Sequence, residues 1–276
     1  MNRRSTWAET LRWGAFALVV LVLNFPLVAT LFTSLKTVPD IYKNPPVWLF
    51  GPTLDHYRVV LTDPTLNFPK YLLNSLLISV GGTVLAIVVS FPAAYAIVRY
   101  RIGLNSLLPF VTNLRAVPLI IFVIPFYLMY QRLGLLDTQF GLAVIGAIIN
   151  VPLALLLFTG FVQDFPIEVE EAARVDGAGT LGVLRFVVLP LSRPIVTATA
   201  ILSFIYCWNE FLFGLILTTD RATPVTVGAT LFITAWGVKW GEMSAAMILS
   251  VFPPLVLGLF SYRQLARAIT AGAVKG

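Results

Sequence analysis

Residues 71–98 read YLLNSLLISVGGTVLAIVVSFPAAYAIV, a stretch without a single charged side chain. A helix needs about 20 predominantly apolar residues in a row to cross the hydrocarbon core of a bilayer. This stretch is long enough, so we predict a transmembrane helix here. The same criterion predicts five more spans, at residues 13–33, 107–130, 140–162, 195–217 and 243–262.

The composition is that of a membrane protein. Hydrophobic residues make up 58% of the 276 residues and charged residues only 12%, whereas soluble domains average roughly 25% charged residues. The single cysteine and single histidine, Cys207 and His56, exclude an internal disulfide and a Cys/His metal cluster. The sequence therefore predicts an all-α polytopic membrane protein with six transmembrane helices, in one domain over residues 1–276.

The first span differs from a secretory signal peptide. Its apolar run of about 21 residues is longer than the 7–15 residues usual for such a peptide, and five further spans follow it. We therefore expect an uncleaved first helix.

The distribution of positive charge predicts the orientation of the chain. With a cytoplasmic N-terminus, the inner segments carry eleven Lys and Arg residues and the outer segments carry seven. An excess of positive charge inside predicts cytoplasmic N- and C-termini, and it explains the net charge of +6 without a nucleic-acid partner. The inner segments are 1–12, 99–106, 163–194 and 263–276, and the outer segments are 34–70, 131–139 and 218–242. The Pro-rich outer segment 34–70 is expected to form an irregular or short-helical cap.

The inner loop 163–194 is polar between apolar spans, and from residue 170 it reads EEAARVDGAGTLGVLRFVVLPLSRP. We expect Asp164 to cap a short helix that Gly177 ends. Glu170 and Arg174, four residues apart, predict a solvated ion pair. The small side chains that recur at helical spacing are Val169, Ala172, Ala173 and Asp176.

A face of small side chains lets another backbone approach closely, and a charged rim keeps such an element out of lipid. The pattern therefore favours a docking element for another protein. A loop that folds back on its own bundle has the same pattern, so the residues alone leave both interpretations open.

The same loop resembles the EAA loop in permease subunits of bacterial ABC importers, whose pattern is EAA-x3-G-x9-I-x-L-P. The matching residues are Glu171, Ala172, Ala173, Gly177, Leu189 and Pro190, with Val187 at the Ile position. Further segments are similar to the carbohydrate-uptake branch of these permeases, namely 53–57, 74–76, 124–127, 134–138, 208–212 and 270–276. The resemblance implies the type I ABC importer permease fold and a multi-pass protein of the bacterial cytoplasmic (inner) membrane.

For the loop, the resemblance implies that residues 166–177 form a coupling helix seated on a separate ATPase subunit. Glu171 and Gly177 are the positions expected to matter most. The other residues assigned to this coupling are Ala172, Ala173, Asp176, Leu189 and Pro190. The C-terminal TAGAVKG is similar to a tail that contacts the ATPases, through Thr270, Ala271, Gly272, Lys275 and Gly276. A frayed terminus without a partner is the alternative.

The chain carries no G-x-x-x-x-G-K-[ST] run, the loop that wraps nucleotide phosphates. We therefore expect no cofactor on this chain, and ATP and Mg bound by partner ATPase subunits. The resemblance implies a second homologous permease, two ATPases and an extracytoplasmic solute-binding protein as partners, besides membrane lipid. It implies ATP-driven import of a sugar or related polyhydroxy solute by alternating access.

Polar residues inside predicted spans are costly and are first examined as functional. Glu210 follows Tyr206, Ser203 and Thr199 at helical steps, and this stripe suits a path for a hydroxyl-rich solute. Alternatively, the hydroxyls join neighbouring helices and a partner residue caps Glu210. Asn209 points aside and is a candidate brace for a neighbouring helix. Arg115 lies among prolines, where it either lines an aqueous cavity at a helix break or extends toward the cytoplasm.

Two other classes of function stay in view. A membrane enzyme would need a nucleophile with a base or a pair of carboxylates, whereas Glu210 is the only carboxylate within a predicted span. A secondary transporter driven by protons would use Glu210. An ABC importer for a solute other than a sugar is the third alternative.

Overall fold

A computed structural model describes the backbone of residues 6–273 and the side chains of residues 9–259. Most of this chain is helical. The α-helices are α1 (Thr6–Leu35), α2 (Val38–Ile41), α3 (Asp55–Thr62), α4 (Phe68–Arg99), α5 (Leu107–Asn113), α6 (Val123–Leu133), α7 (Gln139–Asp164), α8 (Ile167–Val175), α9 (Thr180–Gly182), α10 (Leu189–Leu191), α11 (Arg193–Trp208), α12 (Leu212–Leu217), α13 (Val225–Gly228) and α14 (Trp240–Ala273). Shorter elements are the 3-10 turns Leu114–Ala116, Leu119–Phe122 and Ala229–Phe232, the π-helical Val183–Val188, and an antiparallel hairpin of β1 (Ile233–Thr234) and β2 (Gly237–Val238).

The helices agree with the predicted all-α membrane class. Within residues 6–273, four helices are long and apolar enough to cross a membrane, and two bent helix pairs bring the number to six if each pair is one span. The four are Glu9–Leu35, Phe68–Arg99, Gln139–Asp164 and Trp240–Leu259. The bent pairs are Leu107–Ala116 with Leu119–Leu133 and Thr180–Leu191 with Arg193–Trp208.

The predicted third span, 107–130, is broken into two helical segments, and Arg115 lies at this break. Its two halves meet at an angle of 103°. Val117 and Pro118 between them are extended, each with ψ of 126°. Proline has no N–H to donate and its ring disfavours helical backbone in the residue before it, so the helix ends there and restarts in a new direction.

The predicted fifth span, 195–217, is also interrupted. Helix α11 ends at Trp208 and α12 begins at Leu212, with residues 209–211 between them. At its other end, α11 begins at Arg193 and meets the preceding helical segment at 77°. A helix that starts at membrane depth leaves its first N–H groups without helical partners, and the carboxylate of Glu210, described below, accepts from two such groups at the start of α12.

Small residues set the crossing of α4, α7 and α11. One face of α4 is buried and carries small side chains, namely Ser75, Ser79, Thr83, Ala86 and Ser90. A Cβ on Gly146 would stand 2.8 Å from Cys207 Sγ, and Gly82 approaches the same sulfur. Glycines let helix backbones approach closely where lipid offers no hydrophobic driving force.

The chain divides into two compact units. One contains the described residues up to Phe68 with Ala229–Val251, and the other contains Pro69–Gly228 with the described residues from Phe252. Two apolar cores lie among the described residues of the second unit. One core packs α4 against α7 and the π-helical segment Val183–Val188, around Tyr95, Phe158 and Val183. The other surrounds Tyr130, Ile145 and Phe213.

In the first unit, the segment 34–70 forms short helices, as expected. His56 of α3 is buried, and its Nε2 lies 2.9 Å from the carbonyl oxygen of Lys36. Its Nδ1 lies 3.6 Å from a carboxylate oxygen of Glu242. Trp236 in the turn between β1 and β2 is fully exposed.

Candidate functional site

The predicted coupling segment forms a helix, α8, that ends where the sequence indicated. Gly177 adopts φ of +90°, and its N–H bonds the carbonyl of Arg174 at 3.0 Å. The next N–H, of Ala178, bonds the carbonyl of Ala173 at 3.0 Å. These two bonds form a Schellman motif, which favours glycine at the left-handed position.

The predicted start of this helix is wrong. Asp164 is the last residue of α7, and Pro166 occupies the N-cap position of α8 without a side-chain cap. Phe165 and Pro166 are extended, with ψ of 128° and 124°. The proline favours extended backbone before it, so a break separates α7 from α8.

One side of α8 faces away from the bundle. Glu171, Ala172 and Asp176 are exposed, and Val175 is 87% exposed. The predicted face of small residues is therefore divided, because Ala173 turns inward and packs against the core around Tyr95. Val175 was missed by the sequence analysis, although its position three residues after Ala172 places it on the same face.

The predicted pair of Glu170 and Arg174 forms, but it is not solvated, because Glu170 is buried. The side chain of Glu170 is fully inaccessible, and its Oε1 accepts from Nε of Arg99 at 2.7 Å. Its Oε2 accepts from the hydroxyl of Tyr95 at 2.8 Å. Arg174 is the more distant cation, with its Nη2 at 3.7 Å from Oε2. A buried carboxylate is stable only with such partners.

The chain after Gly177 continues along the same surface. The hydroxyl of Tyr100, next to the end of α4, lies 3.1 Å from Thr180 Oγ1. Val183 and Val188 are buried, while Leu181 and Phe186 are exposed. Of the two predicted coupling residues here, Leu189 is exposed and Pro190 is half-buried. Exposed apolar side chains therefore flank α8 on this surface.

A second feature is a cavity of about 410 Å³ in the second unit. Arg115 lies at the bend between α5 and α6, and its guanidinium stands 5.7 Å from the ring centre of Tyr206. Its Nη2 is 3.5 Å from the hydroxyl of Tyr206. The lining is mostly apolar, with Phe122, Phe126 and Phe213 as aromatic members and Asn150 as a third polar one. The bend thus brings Arg115 to a cavity, one of the two positions foreseen for it.

The predicted stripe on α11 is not continuous. Glu210 lies beyond the end of α11, and its carboxylate accepts from the N–H groups of Phe213 at 2.9 Å and Gly214 at 3.0 Å. It therefore caps α12 with its own carboxylate, whereas the alternative considered was that a partner residue caps Glu210. Asn209 donates to the carbonyl of Ile205 in its own helix.

The hydroxyls earlier on α11 are enclosed. Thr199 and Ser203 are fully buried, and within the described part of the chain their side-chain oxygens have no hydrogen-bond partner. Tyr206 is half exposed and lines the cavity. Only Tyr206 of the predicted stripe meets Arg115.

On the side of the membrane predicted to be outer, the carboxylate of Asp137 connects the turn between α6 and α7 to the chain that follows α12. Asp137, between α6 and α7, accepts backbone N–H groups from four consecutive residues, Thr219, Asp220, Arg221 and Ala222. Burial by itself raises the pKa of this carboxyl, but the N–H groups outweigh that effect and lower the pKa of Asp137 to about 2. Its backbone is left-handed, with φ of +54°.

The predicted tail lies at the edge of the described chain. The backbone of α14 is helical through Ala273, which includes Thr270, Ala271 and Gly272. Lys275 and Gly276 lie outside the described residues. Among the described residues, no group of three or more His, Cys, Asp or Glu side chains is arranged to hold a metal ion.

Comparison with known proteins connects this arrangement to one family. Residues 70–271 match the family described as binding-protein-dependent transport system inner membrane component. The trehalose/maltose transport system permease protein MalG of Thermococcus litoralis is 35% identical over 95% of each chain. The sulfoquinovosyl glycerol transport system permease protein SmoH of Agrobacterium fabrum is 30% identical, over 97% of this chain and 94% of that one.

The fold also matches a solved structure. It is a chain of a bacterial ABC transporter involved in the import of the acidic polysaccharide alginate, with a TM-score of 0.77 over 95% of this chain and 98% of that one. The two sequences are 23% identical. The polytopic helical fold, the EAA loop, the family match and the relatives agree: this chain belongs to the inner membrane components of binding-protein-dependent transport systems, and it is an ABC importer permease, not an enzyme.

Proposed function

We propose that this chain carries a sugar or a related polyhydroxy solute across the bacterial cytoplasmic membrane. Relatives of nearly the same length are named for the transport of trehalose and maltose, sulfoquinovosyl glycerol and diacetylchitobiose. These solutes differ in size and charge but share a carbohydrate portion. We therefore propose a carbohydrate or a related polyhydroxy compound, the class to which all of these named solutes belong.

Helix α8 is the element through which ATP hydrolysis drives the transport. The observation that carries this assignment is its exposed face, where Ala172, Val175 and Asp176 stand clear of the bundle while Glu170 fixes the opposite face. An ATPase cleft closing on this face would contact small and apolar side chains. Gly177 ends the helix sharply, so the docking element stays short.

The partners follow from the same assignment. Two ATPase subunits bind ATP and Mg, a second homologous permease supplies the other half of the pathway, and an extracytoplasmic protein delivers the solute. The positive charge of the inner segments supports a cytoplasmic position for α8. The tail after α14 is a second candidate contact for the ATPases.

The cavity beside Arg115 and Tyr206 is a candidate section of the solute path. An aromatic ring and a guanidinium together provide a stacking face and several N–H donors, which suits a solute with apolar ring faces and hydroxyls. Thr199, Ser203 and Glu210 belong to the framework of this path, because two are enclosed and the third caps α12.

Cysteine cross-linking in the assembled transporter tests the docking. With Ala172→Cys on α8 and single cysteines along the ATPase cleft, we expect a disulfide between the two chains in wild-type-like particles. Leu49→Cys, an exposed position in the predicted outer segment, is the control and should give none. Absence of any cross-link from α8 in a particle that hydrolyses ATP would overturn the assignment.

Transport in proteoliposomes tests the energy source. Radiolabelled maltose, trehalose and diacetylchitobiose serve as probes, with the binding protein supplied on the outside. We expect uptake of at least one probe to require internal ATP and to continue after a protonophore collapses the proton gradient. Uptake that stops with the proton gradient would favour a secondary transporter instead.

A further inference from the structure

The contact between α8 and the rest of its unit is chemically unusual. Glu170 is the only fully buried residue of this helix, so no large apolar side chain of α8 anchors it. Ala173 adds a small partly buried contact. Besides a longer hydrogen bond from Arg174 Nη2 to the hydroxyl of Tyr95 at 3.4 Å, the polar contact of α8 with α4 is made by this one carboxylate.

Both oxygens of that carboxylate are engaged by the inner end of α4. Oε1 accepts from Arg99 at 2.7 Å, and Oε2 accepts from Tyr95 at 2.8 Å. Residues 95 and 99 are one helical turn apart, so they present their donors side by side. Charge-assisted hydrogen bonds are short and directional, so two donors on one carboxylate fix both its position and its direction.

Arg99 also contacts the chain segment that leads into α8. Its Nη2 donates to the carbonyl of Phe165 at 2.8 Å, two residues before the helix begins. The side chain of Arg99 is only 11% exposed. One guanidinium thus fixes both the first turn of α8 and the break between α7 and α8.

We propose that Glu170, through Arg99 and Tyr95, is the positioning residue that makes α8 and the inner end of α4 move as one body. A displacement imposed on α8 by the ATPase is then passed directly to a membrane-spanning helix. This inference rests on the proposed docking of α8. It assigns a role to the glutamate before the EAA triplet, distinct from the exposed Glu171.

Distance measurements between spin labels test this coupling. The purified complex with its ATPases and partner permease carries nitroxide labels at Ile167→Cys on α8 and Val89→Cys on α4, both exposed positions. Cys207, the single native cysteine, is buried. In the wild-type background we expect one narrow distance that is the same without nucleotide and with ATP and vanadate.

Glu170→Gln removes the charge and leaves Arg99 buried without a counter-ion. We expect the narrow distance to broaden and to differ between the two nucleotide states. Glu168→Gln, an exposed change in the first turn of the same helix, should leave the distance unchanged. The double variant Glu170→Gln with Arg99→Gln should recover part of the narrow distance, because no charge is left unpaired.

An unchanged distance distribution in Glu170→Gln would overturn the proposal. If that variant does not assemble, Tyr95→Phe removes one hydrogen bond while keeping the ion pair, and a distribution identical to wild type in Tyr95→Phe would also count against it. The Ala172→Cys cross-link to the ATPase is measured in the same preparations. Loss of that cross-link in the wild type contradicts the docking, whereas a normal cross-link with an unchanged distance contradicts only the role of Glu170.

Discussion

The Sγ atom of Cys207 on α11 lies 2.9 Å from the point where a Cβ on Gly82 of α4 would stand. The carbonyl oxygen of Ala143 on α7 would be 3.1 Å from the same point. Helices α4, α7 and α11 therefore meet at Gly82, and there is no room between them for a side chain at this position. Close packing of this kind substitutes for the hydrophobic effect inside lipid.

Gly82→Ala is expected to destabilise the protein, because the added methyl group forces the helices apart. Overpacking of this kind costs about 1–3 kcal/mol. The midpoint of thermal unfolding in detergent should fall. Gly160→Ala in α7 is the matched control, since its Cβ would meet nothing within 4 Å and alanine favours helix by about 1 kcal/mol. If the unfolding midpoint of Gly160→Ala fell as far as that of Gly82→Ala, this explanation would be contradicted.

Gly177→Asp is expected to uncouple transport from ATP hydrolysis while leaving the protein in the membrane. Its φ of +90° is strained for any residue with a Cβ, so the Schellman turn should open and α8 should lose its defined end. Two quantities are measured: the amount of ATPase subunit that copurifies with an affinity-tagged permease, and the rate of ATP-dependent uptake. Gly179→Asp is the control, because Gly179 has an ordinary φ of −70°.

Glu171→Lys is expected to give the same phenotype by a different cause. The side chain is exposed on α8, so its reversal should leave the bundle intact and weaken the contact with the ATPase. Copurification of the ATPase should fall, with an unchanged unfolding midpoint. Full transport with normal stimulation of ATP hydrolysis would contradict the assignment of this loop.

Asp137 is expected to make the stability of the protein depend on pH in the acid range. Because folding lowers the pKa of this carboxyl to about 2 from an ordinary 3.8, its contribution is complete above pH 3.8 and is lost as the pH falls toward 2. For a half-buried group the contribution is about 1 kcal/mol after screening by solvent. Asp137→Asn should lower the unfolding midpoint near neutral pH and flatten its fall in acid.

Asp220→Asn provides the comparison for that experiment. Its carboxylate pairs with Lys70 at 3.2 Å, but its side chain is 66% exposed. Exposed pairs contribute little to stability, so the unfolding midpoint should hardly change. Equal effects of the two substitutions would show that the N–H groups around Asp137 do not matter.

Arg115→Ala and Tyr206→Ala are expected to reduce uptake without detaching the ATPase. Both side chains line the cavity and contact each other, so each removes part of the proposed path. A loss of about tenfold in uptake corresponds to about 1.4 kcal/mol, close to the lower end of the range for one lost hydrogen bond to a charged group. Ile121→Ala, an exposed change on the neighbouring turn outside the cavity lining, serves as control. Wild-type uptake in both variants would remove this cavity from the path.

Several features could be read from the sequence because they depend on nearby residues. The apolar stretch 71–98 predicted α4, since a span is defined by its own composition. Gly177 predicted the end of α8, because a left-handed turn depends on the residue that adopts it. The spacing of the EAA loop indicated the family, which the comparison over residues 70–271 confirmed.

Other features required contacts between distant parts of the chain. Glu168, Glu170 and Glu171 are neighbours of the same residue type, yet only Glu170 is buried. Its carboxylate accepts from Arg99, which lies 71 residues earlier in the chain. Likewise, Tyr206 meets Arg115 across 91 residues because Pro118 redirects the third span. Composition determined that the helices enter a membrane, and the packing between them decided which polar side chains hold the coupling helix and which line a cavity.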